Sequence, residues 1–112
     1  MSISYESIGQ VCITCYCSSA GVNHPCKVSS NHTVVSCADG DEIEGVVVAK
    51  HSNLATVAVK GFVTLPYTGS APNVGHCPLA SAGSGKVKVS DGAREYLVVN
   101  VDTPKKYVTF CL

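Results

Sequence analysis

The chain has 112 residues, a formal net charge of +0 and a sequence pI of about 6.9. That length suits one domain with a modest core, and the charge balance offers no field of one sign to nucleic acid or anionic lipid. Charged residues make up 14% and hydrophobic ones 46%; such a balance leaves weakly polar surface and points to protein partners or self-association.

The opening stretch, MSISYESIGQ, has neither the basic segment nor the apolar segment of a signal peptide. The expectation is a chain made in the cytosol, where cysteines stay reduced. Met1–Ser7 reads as a flexible arm carrying two apolar side chains, Ile3 and Tyr5. No apolar run approaches the length of a membrane span.

From there the chain reads as short β-branched or alternating runs broken by Gly, Asn, Asp and Pro. GQVCITCYCSS predicts a first strand. HPCKVSSNHTVVSC predicts two short strands about a turn at Ser29–Asn31, and ADGDEI a loop. EGVVVAKHSNLATVAVKGFVTLP predicts two long strands joined at His51–Asn53, the second bent or bulged at Gly61. PYTGSAPNVG is a Pro/Gly-rich loop. The remainder predicts a short strand, a small-residue loop and three further strands, with turns at Asp91–Gly92 and Thr103–Lys105 and a short helical turn near Pro78–Ala82. The sum is an all-β single domain, a small barrel of about eight or nine strands over residues 1–112. No internal repeat is legible.

Three of the seven cysteines fall in VCITCYC. Zinc would need four converging thiolates or imidazoles, and Cys12, Cys15, Cys17 and Cys26 are the candidate set, with His24, His32 and Cys37 as further donors. The residues between them favour extended backbone rather than a tight turn. In a strand, Cys15 and Cys17 share one face and Cys12 takes the other. The expectation is therefore structural cysteines with no metal and no cofactor. A Cys-His nucleophile from His76–Cys77, or from Cys37 with His51, lacks an orienting third group, and strand neighbours face opposite ways. The acidic run Asp39–Glu44 does not have the spacing of a calcium loop. AGSGKVKV lacks the first Gly and the Ser or Thr of a phosphate loop. The scattered lysines show no aromatic interleaving for nucleic acid. The residues point to no enzyme, and to a structural or interaction role.

The stretches DGDEIEGVVV, VKGFVTLPYTGSAPNVG, GKVKV and REYLVVNVDTPKKYVTFCL resemble small proteins of the head-gene region of tailed phages and prophages, and through them the capsid-cement, or head-decoration, family. CYCSSAGVNHPCKVSSNHTVVSC matches more loosely, and its cysteine content departs from the family. The resemblance implies a small β-barrel on the outside of an icosahedral shell, binding the major capsid protein as a homo-oligomer, commonly a trimer. The virion surface is the implied location. Leu65, Pro66, Tyr67, Thr68, Gly69 and Pro72 are the expected contact residues in the loop, with Ile3 and Tyr5 in the arm. The alternatives are another β-barrel of a phage particle, such as a head–tail connector or tail component, and a small zinc-binding β domain.

Overall fold

The computed structural model describes residues 10–17 and 19–112. Among these residues ten strands form: β1 Val11–Tyr16, β2 Pro25–Ser30, β3 Thr33–Ser36, β4 Gly45–His51, β5 Leu54–Lys60, β6 Phe62–Pro66, β7 Gly75–Gly83, β8 Lys86–Val89, β9 Glu95–Asp102 and β10 Tyr107–Cys111. The all-β expectation holds, and no helix occurs among the described residues. The single barrel of eight or nine strands does not. The first five strands close a barrel in the order β1-β3-β2-β4-β5, and the last five form a second sheet in the order β6-β10-β9-β7-β8. The outer strands of that second sheet meet at one parallel bridge, Tyr67 to Val87.

Gly61 separates the two halves. Its φ is +109°, and an added Cβ would lie 2.9 Å from the Gln10 Cα, so only glycine turns the chain there without strain. The long strand expected through Gly61 is in fact two strands in different sheets. The helical turn expected near Pro78–Ala82 is strand: Leu79, Ala80 and Ser81 pair with Val89, Lys88 and Val87.

The two halves are one structural unit built twice, a repeat that the sequence reading did not find. Cyclic order and strand directions agree, β1 to β5 matching β6 to β10. Registers agree residue by residue in every strand pairing but one. Cys26, Lys27 and Val28 face Ser36, Val35 and Val34; Leu79, Ala80 and Ser81 face Val89, Lys88 and Val87. A bulge follows at the same place in each hairpin, at Ser29 and at Ala82. Val47 faces Val57 and Ala49 faces Thr56 around a bulge at Val48; Val98 faces Phe110 and Asn100 faces Thr109 around one at Val99. Thr14 opposes Thr56 as Thr64 opposes Thr109. The β2/β4 and β7/β9 ladders differ by a two-residue slide. An even slide keeps every side chain on its face.

The first half caps the second through the stretch Asp39–Val46. The Gly40 N–H donates to the Ser81 carbonyl at 2.7 Å, and the Ser81 N–H donates to the Asp41 carbonyl at 3.0 Å. Lys88 pairs with Asp39 at 2.6 Å. The Tyr96 hydroxyl donates to the Ile43 carbonyl at 2.7 Å. Ile43 and Val46 are buried within the core of the second half, among Val63, Leu65, Tyr67 and Phe110.

Candidate interaction surface

Equivalent inward positions carry very different side chains in the two halves. Cys15, Cys17, Cys26, Gly45, Ala55 and Val57 occupy the places that Leu65, Tyr67, Leu79, Tyr96, Val108 and Phe110 hold in the second half. All twelve are buried. At each pair the first half has the smaller residue. The second core is filled by rings, with Tyr96 and Phe110 packed edge to face at 5.3 Å between centroids. The first is a narrow core of thiols, Ala and Val. Nothing larger fits at Gly45, where an added Cβ would stand 2.6 Å from the Val57 Cγ1 and 3.0 Å from the Ala58 carbonyl oxygen.

Among the described residues, nothing covers the mouth of the first half. Val11 and Ile13 belong by strand alternation to the inward row of β1 with Cys15 and Cys17, yet both are exposed. Ile13 is 43% exposed, whereas its counterpart Val63 is 8% exposed. Val28, on β2, is 57% exposed. Ile13, Cys26, Val28, Gly45, Val57 and Val59 line an apolar cleft with about 20 Å³ of free space. The closure beside it is thin, because β1 pairs with β3 only at Tyr16 and Thr33. Among the described residues, no strand pairs with β2 beyond Cys26 on the side that faces β4, and the Val28 N–H is met by the Glu44 Oε1 at 2.8 Å.

The cysteines divide as strand alternation requires. Cys12 is exposed on the outer face of β1, and Cys15, Cys17, Cys26 and Cys37 are buried. The proposed zinc set therefore does not converge on one point. Among the described residues no three His, Cys, Asp or Glu side chains stand in metal-binding geometry. Burial pushes the Cys26 thiol up to about 12, with the neighbouring Cys37, Cys17 and Cys15 adding to it. Burial and then Asp41 push Cys37 up to about 11. Both remain protonated at neutral pH and are poor nucleophiles. The Ala20 N–H lies 3.4 Å from the Cys17 Sγ, and the Cys37 thiol donates to the Glu42 carbonyl at 3.5 Å. His76 is exposed beside the buried Cys77, so this pair faces opposite ways.

In the expected contact loop, Leu65, Tyr67 and Pro72 are buried, Leu65 and Tyr67 within the second core. Pro66 is partly buried, and Thr68 and Gly69 are exposed. The loop's most exposed large apolar side chain is Val74, which the sequence reading did not single out. Ile3, Tyr5 and the whole arm lie outside the described residues. Two ion pairs tie the linking loop down, Lys27 to Asp41 at 2.7 Å and Lys88 to Asp39. Lys27 holds the Asp41 carboxyl below the usual range, helped by the Ala38 N–H.

Comparison with known protein families, curated proteins and solved structures gives no match.

Proposed function

We propose that this chain is a structural protein of a phage particle, a head-decoration protein that binds the outside of the assembled shell through the major capsid protein. The observation that carries the reading is the uncovered apolar rim of the first half, formed by Val11, Ile13 and Val28. Exposed apolar side chains grouped at the mouth of a core mark an interaction site. The resemblance of the long strands and the Pro/Gly loop to the capsid-cement family supplies the class of partner, the virion location after synthesis in the host cytoplasm, and a homo-oligomer, commonly a trimer.

A decoration protein performs no bond chemistry. Weak contacts repeated over a shell, or shared within one oligomer, raise apparent affinity by roughly 10²–10⁴. Binding the assembled state and not the free subunits then stabilises assembly by mass action. In this reading Thr68, Gly69 and Val74 form the contact part of the loop. Leu65, Tyr67 and Pro72 act from beneath, fixing its exit from the core.

The test is sedimentation of the purified, reduced protein with empty shells of a tailed phage, and separately with unassembled capsid subunits. Co-migration with shells at many copies per particle, without binding to free subunits, is the expected result. A few copies at one vertex would favour the connector reading, and no co-migration would overturn both.

A further inference from the structure

We infer that copies of this chain associate head to tail, the Asp91–Leu97 stretch of one copy seating on the open mouth and β2 edge of the next. The inference rests on the repeat within the chain and not on the reading above.

The contact already exists once inside each molecule. The stretch Asp39–Val46 of the first half covers the second, pairing Gly40 and Asp41 with Ser81 and burying Ile43 and Val46 in the second core. The repeat places a counterpart of each surface elsewhere on the molecule, with Arg94 at the place of Ile43 and Leu97 at that of Val46.

The receiving surface recurs on the first half. Val28 holds the place of Ser81. The Ser81 N–H is met by a backbone carbonyl from the other half, and the Val28 N–H only by the Glu44 side chain. Such an edge accepts an extended segment readily. Ile13 and Val59 stand where Val63 and Leu112 line the covered mouth of the second half.

The inserting surface recurs on the second half. Gly40 and Gly92 both take left-handed backbone, with φ of 89° and 84°. The same turn follows each, Asp41 N–H to Ala38 carbonyl and Ala93 N–H to Ser90 carbonyl, at 3.1 Å in both. Val46 and Leu97 hold the same register position, opposite Ala58 and Cys111. Val46 is 2% exposed, beneath the second half, whereas Leu97 is 41% exposed. Each molecule thus ends in one open receiver and one open insert. These are different surfaces, so their pairing is heterologous, and it forms a ring where the rotation closes.

Sedimentation velocity and native mass spectrometry over a concentration series test this with Val28→Asp, which spoils the receiver, and Leu97→Asp, which spoils the insert. Both side chains are exposed, and circular dichroism checks that each variant folds; Val28→Thr and Leu97→Thr replace any variant that does not. The parent chain is expected to associate as concentration rises. Each variant alone is expected to stay monomeric, and an equal mixture to form a heterodimer and nothing larger, because one intact receiver then meets one intact insert. A parent chain that stays monomeric, association untouched by either variant, or a mixture that stays monomeric would each overturn the inference.

Discussion

The two halves share a frame but not a filling. Bulges, most registers and the turns at Gly40 and Gly92 repeat, while the side chains that determine core volume do not. In the second half Tyr67, Tyr96 and Phe110, together with Ile43 and Val46 from the first, complete a closed core. In the first half Cys17, Gly45 and Val57 stand at the ring positions, and nothing covers the mouth among the described residues. A five-strand frame therefore does not itself require a large core. The ladder hydrogen bonds and small-residue packing hold one half, and packed rings hold the other. The half that is less filled leaves the mouth of its own core exposed, at Val11, Ile13 and Val28.

The comparison breaks most sharply at one matched pair. Phe110→Ala removes a fully buried ring and is expected to cost about 3–5 kcal/mol, as such core truncations do. Val57→Ala, at the equivalent position, removes two methyl groups from beside an existing cleft. It is expected to cost only about 1–2 kcal/mol at roughly 0.8 kcal/mol per buried methylene. Chemical denaturation of both variants measures the difference, and equal costs would contradict the account.

Alkaline pH acts on both halves, on the first through Cys26 and Cys37 and on the second through Tyr96, whose hydroxyl burial also pushes up. An unfolded thiol titrates near 9.0, while folded Cys26 and Cys37 titrate at about 12 and about 11. Their folded values are raised, so the stability they contribute is fully present below pH 9. It is lost as pH rises from 9 through 11 to 12. Thermal scans of the reduced protein should show a falling midpoint in that window. Cys26→Ala combined with Cys37→Ala should flatten the fall while lowering stability at neutral pH. An unchanged slope would show that other groups carry it.

The smallest effect concerns the repeated threonine pair. Thr64 and Thr109 share a hydrogen bond at 2.8 Å between hydroxyls, and Thr109 is buried. Thr64→Val should cost about 1 kcal/mol, the net value of one such bond. Thr14→Val, at the exposed counterpart, should fall within about 0.5 kcal/mol of zero. Denaturant midpoints of the two variants check the ordering.

Much of the frame was legible because β-branched runs and Gly/Asn/Asp turns declare strands locally. Alternation also separated Cys12 from Cys15 and Cys17. The repeat escaped because its identities sit at scattered positions, such as Thr14 and Thr64, Pro25 and Pro78, Val34 and Val87, Val47 and Val98. The core positions between them differ in size. A signal did exist: ADGDEIEGVVV and SDGAREYLVV place Asp-Gly, then Glu, then Val-Val at similar spacing. Tyr67 was read as a loop anchor because Pro66 and Gly69 flank it. It in fact continues the inward alternation of Val63 and Leu65, a period of two that runs past the end of β6. The apolar mouth was not legible, since an exposed Ile13 and a buried Val63 look alike in sequence. Only the long-range closure decides which one is covered.

Amide hydrogen exchange of the reduced protein, followed at low and high concentration, tests the unequal filling most directly. The account predicts that at low concentration β9 and β10 exchange only by global unfolding. β1 to β3 should exchange faster through local opening, and raising the concentration should add protection at Lys27–Ser30 and Gly92–Leu97. Equal protection of both halves at low concentration, with no change at those two segments, would contradict it.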